Sequence, residues 1–203
     1  MAGKEKRMSN ETNNYPRRVR CMGTELELRM MTAGDAEAVL AFAAALPPHD
    51  LIFLQRDIRN SKVVAAWIEQ SARGAITSVL ALADGTVRGC AAIVRDEFSW
   101  SPHVGELRVV VSEDMRGSGL GRLLVQDAFA LAVSRGLGKL VARMTPDQRG
   151  AIAVFQELGF QGEALLRDHV RDAAGATHDI VIFSLDVARR HAQLETYGYS
   201  EVF

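Results

Sequence analysis

Between Glu106 and Leu124 the chain reads E-L-R-V-V-V-S-E-D-M-R-G-S-G-L-G-R-L-L. Three consecutive valines, Val109, Val110 and Val111, form a run of high strand propensity. Arg116, Gly117, Ser118, Gly119, Leu120, Gly121 and Arg122 follow and lead into an apolar-periodic helix. Glycines at a strand-to-helix turn permit positive φ and let a ligand approach the backbone amides without a Cβ in the way. Those amides join the unpaired N–H groups and the positive dipole end of the helix, which together suit a phosphate or pyrophosphate. Arg116 adds a permanent positive charge at the rim. No Lys-Ser/Thr pair follows the last glycine and the spacing is not G-x-G-x-x-G, so neither a Walker A loop nor the dinucleotide fingerprint is present.

The elements that must position this turn are legible on both sides. Leu26, Leu28 and Met30 alternate with Glu25, Glu27 and Arg29, which predicts a half-buried first strand over 24–31. A helix capped by Thr32 or Asp35 carries Val39, Leu40, Phe42 and Leu46 and stops at Pro47-Pro48. Two short helices are expected over 50–56 and 62–73. Ile76 to Ala83 and Thr86 to Arg95 read as a hairpin turned at Asp84-Gly85. After the glycine turn, Leu120, Leu123, Leu124, Ala128 and Leu131 keep helical spacing up to Gly136. Lys139 to Met144 is a short strand, and Thr145-Pro146-Asp147-Gln148 opens a helix with a capping box. A last hairpin over 162–170 and 177–185 includes Ile180-Val181-Ile182-Phe183, expected to be buried on both faces.

The totals set the class. The 203 residues are 48% hydrophobic and 24% charged, an ordinary composition for one domain with its own core. A net charge of -1 gives no global electrostatic case for nucleic acid or anionic membrane. Only two cysteines, Cys21 and Cys90, are present, so a disulfide framework is not expected and a reducing cytoplasm is the natural compartment. Cys90 sits among small and apolar residues and reads as an inert thiol. Residues 1–20 carry Lys4, Lys6, Arg7, Arg17, Arg18 and Arg20 against Glu5 and Glu11, and are expected to be a flexible basic arm.

Arg116-x-x-Gly119-x-Gly121, with Val111 five residues upstream, resembles the R/Q-x-x-G-x-G/A signature of the GNAT (Gcn5-related N-acetyltransferase) superfamily. Gln148 to Phe160 is similar to that family's second motif, N-x-x-A-x-x-x-Y-x-x-x-G-F, and by order of elements the resemblance spans 26–185. It implies an α/β (α+β) mixed sheet of about seven strands with a splayed central pair and helices on both faces. The domain would run over 21–186, between the basic arm and a 187–203 tail. It also implies an acetyl-CoA-dependent N-acetyltransferase. The backbone of Val109, Val110 and Val111 would pair with the pantetheine arm, and the turn from Arg116 to Arg122 would hold the pyrophosphate. Gln148 stands where an asparagine commonly bonds the cofactor; a capping role is the equal alternative. Phe155 replaces a tyrosine proposed to protonate the departing thiolate, and Tyr197 or Tyr199 would have to reach in from the tail to substitute for it.

Acetyl transfer requires a neutral amine. A lysine ε-amine with pKa ~10.4 is about one part in two thousand unprotonated at pH 7, so neutralising it costs roughly 4–5 kcal/mol. A nearby carboxylate can take that proton directly or through water. Glu106 opens the valine strand, as a glutamate does in similar bacterial protein-lysine acetyltransferases, and is the expected base; an ion pair with Arg108 or Arg95 is the competing role. Protein lysine is the favoured acceptor, with polyamines, amino acids and aminoglycosides as small-amine alternatives. A non-catalytic acyl-CoA sensor is the second class. His103 is a further proton-acceptor candidate, and Trp67 and Trp100 are candidates for the acceptor pocket. His169 and His178, with Asp168 and Asp179, are expected to pair across the last hairpin rather than to hold metal. A homodimer is possible.

Overall fold

The computed structural model describes residues 15–197. One eight-stranded sheet runs through it in the order β1-β2-β3-β4-β5-β6-β8-β7. The strands are β1 (Arg17–Cys21), β2 (Thr24–Met30), β3 (Ile76–Ala83), β4 (Thr86–Val94), β5 (Val104–Val111), β6 (Lys139–Met144), β7 (Gln161–Arg171) and β8 (Thr177–Asp186). Five α-helices accompany them: α1 (Ala36–Ala45), α2 (Ser61–Ala72), α3 (Leu120–Ser134), α4 (Arg149–Glu157) and α5 (Val187–Thr196). All neighbouring strands are antiparallel except β5 and β6. Among the described residues no helix is long and apolar enough to cross a membrane.

Two cores cover the two faces. On one, Leu120, Leu124, Val125 and Ala128 of α3 pack on Val79, Ala91, Ile93 and Leu107, with Phe155 of α4 and Val187 of α5 alongside. On the other, Val39 and Phe42 of α1 and Val64 of α2 pack on Leu80, Leu82, Cys90, Val110 and Ile180. Every residue of β3 is buried, as expected of a central strand covered on both sides. The Ile180–Phe183 run divides in the same manner: Ile180 and Ile182 join one core and Val181 and Phe183 the other, although Val181 and Ile182 are only half-buried. Asp84 and Gly85 have φ of 48° and 76°, the paired positive values of a tight hairpin turn.

Three boundaries differ from the sequence reading. There are eight strands and not seven, because residues 17–21 of the expected basic arm form β1, paired with β2 from Arg17↔Leu28 to Cys21↔Thr24. A distant contact secures it. Tyr15 donates to Asp127 Oδ2 at 2.9 Å and Arg17 pairs with Oδ1 of the same carboxylate, which is nearly buried on α3. Residues 1–14 of that arm, and Tyr199, lie outside the described residues. The helix expected over 50–56 is instead a 3₁₀ turn at Pro48–Leu51 followed by bends. Leu51, Leu54 and Ile58 keep helical spacing, but buried Phe53 falls off that stripe and the backbone between them runs through turns and bends. Finally, α4 begins at Arg149, later than the Thr145 cap, with Thr145–Gln148 forming a turn before it.

Candidate active site

The parallel pair β5 and β6 is hydrogen-bonded from Val104↔Lys139 to Leu107↔Ala142 and no further. Beyond that point Arg143 and Met144 continue to pair with β8 while Val109, Val110 and Val111 continue to pair with β4. The strands therefore part, and β5 turns an unpaired backbone edge toward the gap. This is the splay expected of the central pair. Ligand crevices in open sheets lie at the carboxyl ends of parallel strands, which is where the gap opens.

A cleft of about 680 Å³ occupies it. Its walls include Val109, Val110 and Val111 on β5, Arg116, Gly117, Gly119, Gly121 and Arg122 on the turn and α3, and Asp147, Gln148, Gly150 and Phe155 on the far side. Gly117 and Gly119 have φ of 72° and 89°, and an added Cβ at either would meet nothing within 4 Å. The glycines there serve the backbone conformation and leave the amides open to a ligand. Leu123 N–H makes a helical bond to Gly119 C=O at 3.1 Å, so the amides of Leu120, Gly121 and Arg122 precede the ladder. The Leu120 amide reaches Ser118 Oγ at 3.3 Å, while the Ser118 hydroxyl itself donates to Met115 C=O at 2.6 Å. Leu120 and Leu124 are wholly buried and fasten the turn to the sheet; burying each side chain contributes about 1.5–3 kcal/mol.

The polar rim is paired. Arg116 binds Asp50 and lies 3.7 Å from Glu113, and Arg122 binds Glu157. His49, next to Asp50, contacts Asp147 at 2.7 Å, so one short turn touches both lips of the cleft. Gln148 Oε1 accepts from Thr145 N–H at 3.1 Å, the capping role, while the residue also lines the cleft. Phe155 is buried edge-on against Phe160 at 4.8 Å and offers no hydroxyl. Tyr197 is 75% exposed at the end of α5 and does not line the cleft.

Glu106 is on β5, with its side chain 18% exposed. Arg108 Nε donates to its Oε1 at 3.0 Å and Gln55 Nε2 to its Oε2 at 3.2 Å, while Arg143 Nε lies 4.0 Å away. The ion pair with Arg108 is thus formed, and two carboxylate oxygens with about four acceptor sites still leave room for a water or an amine. Gln55 was not found from the sequence: it sits in an irregular loop with no motif around it. Arg108 and Gln55 also line a second, smaller cavity of about 230 Å³ on the α1–α2 face, walled by Leu54, Ile58, Val63 and Trp67 over Ile76, Cys90, Ala92 and Val94. Trp67 is held there by a 2.9 Å bond from its indole N–H to Ser78 Oγ. Burial pushes the Cys90 thiol up to about 12, against a small opposing backbone contact from Val110, so it is inert. Val110 lines both cavities.

The remaining candidates fall outside this arrangement. Trp100 is fully exposed. His103 is exposed, and its carbonyl accepts from the amides of Gly138 and Lys139. His178 contacts Asp172 at 2.8 Å and stacks edge-on with His49, and Asp168 is bridged by Thr177 Oγ1 and by its own N–H to Asp179. Among the described residues no group of three or more His, Cys, Asp or Glu is arranged to hold a metal ion.

Residues 39–160 match the acetyltransferase (GNAT) family, more than half of the chain. Solved structures agree in fold. A GNAT-family acetyltransferase from Streptococcus pneumoniae superposes with a TM-score of 0.67 at 22% identity, covering 79% of this chain and 99% of that one. A putative acetyltransferase from Salmonella typhimurium, solved with acetyl-CoA, gives 0.66 at 20% identity over 80% and 94%. Spermidine N-acetyltransferase from Vibrio cholerae, solved with CoA and spermine, gives 0.68 at 14% identity over 81% and 97%. The chain belongs to the GNAT family: it is an N-acetyltransferase whose co-substrate is acetyl-CoA.

Proposed function

We propose that this enzyme moves an acetyl group directly to a primary amine, with Glu106 taking the proton that the ammonium must lose. The observation that carries this reading is the layout of one strand. Along β5, Arg108 lines the smaller cavity and donates to the Glu106 carboxylate, Val109 to Val111 present the unpaired edge to the larger one, and Val110 borders both.

The roles follow from that layout. The backbone of Val109, Val110 and Val111 holds the pantetheine arm as an added strand would be held. The amides of Gly117, Gly119, Gly121 and Arg122, with the Arg116 guanidinium, hold the pyrophosphate, while those of Ser118 and Leu120 shape the turn through Met115 C=O and Ser118 Oγ. The open amides at Gly117 and Gly119 and the cleft volume fit that assignment. Gln148 keeps the α4 terminus in place through Thr145 and lends its amide nitrogen to the same ligand. Acetyl-CoA supplies an activated thioester. Strand rise places Val110 about 13 Å from Glu106 along β5, so the proton travels through water and not by direct contact. A thiol of pKa about 8.5 departs tolerably without a dedicated acid, consistent with Phe155.

Protein lysine, the favoured acceptor, and the small amines that are its alternative are both amines. Protein lysine needs an open approach to the smaller cavity, and small amines need only its volume. Thiol release from acetyl-CoA across lysine peptides, polyamines, amino acids and aminoglycosides, with Glu106→Gln alongside, tests the proposal. The expected result is release with one class that collapses in the variant while CoA still binds. Tight CoA binding with no acetylation of any amine would make the chain a sensor and overturn the enzyme reading.

A further inference from the structure

We infer that the acceptor is a small amine carrying a carboxylate beside its amino group, an apolar α-amino acid, and that Arg108 is the residue that selects it. This rests on the reading of Glu106 and β5 given above.

The first observation is electrostatic. Side chains of a strand alternate, so Glu106, Arg108 and Val110 project from the same face of β5 in that order. An amine that attacks at Val110 therefore meets the Arg108 guanidinium before it meets the Glu106 carboxylate. Arg108 spends its Nε on Glu106 and makes no other hydrogen bond among the described residues, although it is only 21% exposed. A half-buried guanidinium with its two Nη groups unspent is a bidentate receptor for a carboxylate. Glu106 beside it draws the ammonium's proton through water. The pair is complementary to a zwitterion.

The second observation is the cavity itself. Among the described residues no carboxylate lines it, whereas Arg56 and Arg108 both do. A polyamine would bring a second ammonium against these guanidiniums with nothing to neutralise it. A lysine side chain would lay its bare methylenes across Arg108 and take solvent from its Nη groups without replacing it, which costs free energy once they are covered. Beyond Arg108 the wall is mostly apolar, with Trp67 and Val63 on α2 and Ile76, Ala92 and Val94 on the sheet, and Gln70 of α2 is the polar residue among them. At about 230 Å³ it is smaller than the roughly 300–1,000 Å³ usual for drug-sized ligands, and matches one amino-acid side chain.

The chemistry balances without a further reactant. The α-ammonium gives one proton through water to Glu106, and the freed nitrogen lone pair forms the C–N bond to the acetyl carbonyl carbon. The C–S bond breaks with its electron pair on sulfur. The second nitrogen proton ends on the thiolate, and Glu106 returns its proton to solvent.

The test compares kcat/KM for leucine, leucinamide, isoamylamine, spermidine and a lysine peptide by thiol release, in the wild type and in Arg108→Gln and Arg108→Lys. Leucine is expected to exceed both leucinamide and isoamylamine by about tenfold to a hundredfold. Arg108→Gln should erase that margin by raising KM for leucine far more than KM for isoamylamine, whatever it does to the turnover both share through Glu106, and Arg108→Lys should restore part of the ratio. CoA affinity by calorimetry reports that each variant is folded. Equal turnover of leucine and isoamylamine, or preferential acetylation of spermidine or the peptide, would overturn the carboxylate assignment while leaving the enzyme reading intact. No acetylation of any amine, with CoA still bound, would overturn both.

Discussion

Asp50, on the 3₁₀ turn after α1, holds the guanidinium of Arg116 at the mouth of the coenzyme cleft. The aspartate stands where a pyrophosphate oxygen would compete for the same cation, and the two residues come from segments 66 positions apart. Arg116 is 46% exposed and Asp50 19%, so the pair sits where ligand and salt both reach it. An exposed ion pair of this kind is worth about 0.2–1 kcal/mol. Freeing Arg116 by Asp50→Asn should therefore tighten CoA about two- to fivefold, and Arg116→Ala should weaken it about tenfold to a hundredfold. Calorimetric titration of CoA reads both, and a tighter Arg116→Ala variant would refute the role given to that arginine.

Glu106→Gln keeps the size of the side chain, can still accept from Arg108 Nε through its one carbonyl oxygen while the Gln55 amide turns to meet its NH2, and removes the proton acceptor. Turnover should fall about a hundredfold to ten-thousandfold with CoA affinity unchanged. A variant retaining more than a third of the wild-type kcat would mean that another group, or water alone, receives the proton.

Asp35 predicts an acid limb of stability. Bonds from Arg29, then from Thr32, hold its carboxyl at about 2 against an ordinary 3.8, with burial pulling the other way. Its folded-state pKa is depressed, so its contribution is complete above the unfolded value and disappears as pH falls through the folded one. The shift corresponds to about 2 kcal/mol present above pH ~4 and lost toward pH ~2. Urea unfolding of wild type and Asp35→Asn should differ by that amount at pH 6, by about a third of it at pH 2.5, and converge by about pH 1.5. A gap of the same size at pH 6 and pH 2.5 would show that the carboxylate charge is not the cause.

The β1 strand offers a test of stability without chemistry. Arg17→Ala leaves the Asp127 carboxylate nearly buried with only Tyr15 bonded to it, and should cost about 1–3 kcal/mol. Arg20→Ala, at an exposed position of the same strand, should change stability by less than about 0.5 kcal/mol. Equal effects in a denaturant titration would mean that charge on the strand matters and the Asp127 contact does not.

Local chemistry accounts for what was legible in the chain. The Asp84-Gly85 hairpin, the Lys139–Met144 strand and the glycine turn are each specified by residues adjacent in sequence, and each is found where expected. β1 was not legible, because six basic residues near the terminus resemble a solvated tail and the partner that holds Tyr15 and Arg17, Asp127, is 110 positions from Arg17. The 48–58 segment misled for the opposite reason. Its apolar residues suggested a helix, yet Leu51, Phe53, Leu54 and Ile58 are buried from an irregular path. At the site, Glu106 and Arg108 could be paired from strand alternation, whereas Gln55 could be found only by folding the loop over them.

The early end of the β5–β6 ladder leaves this protein with a sheet whose middle rungs a small molecule would supply in the role proposed for β5. A backbone edge enclosed on both flanks is of no use to a neighbouring chain, unlike the edge of an ordinary outer strand. It is an incomplete part of the fold that the pantetheine amides would finish. Whatever finishes it binds only the folded chain, so resistance to heat should rise and fall with coenzyme supply, by about 2.7 kcal/mol at a hundredfold excess over Kd. The enzyme drained of acetyl-CoA would then be the form most exposed to unfolding and proteolysis, and abundance would follow the same metabolite as activity.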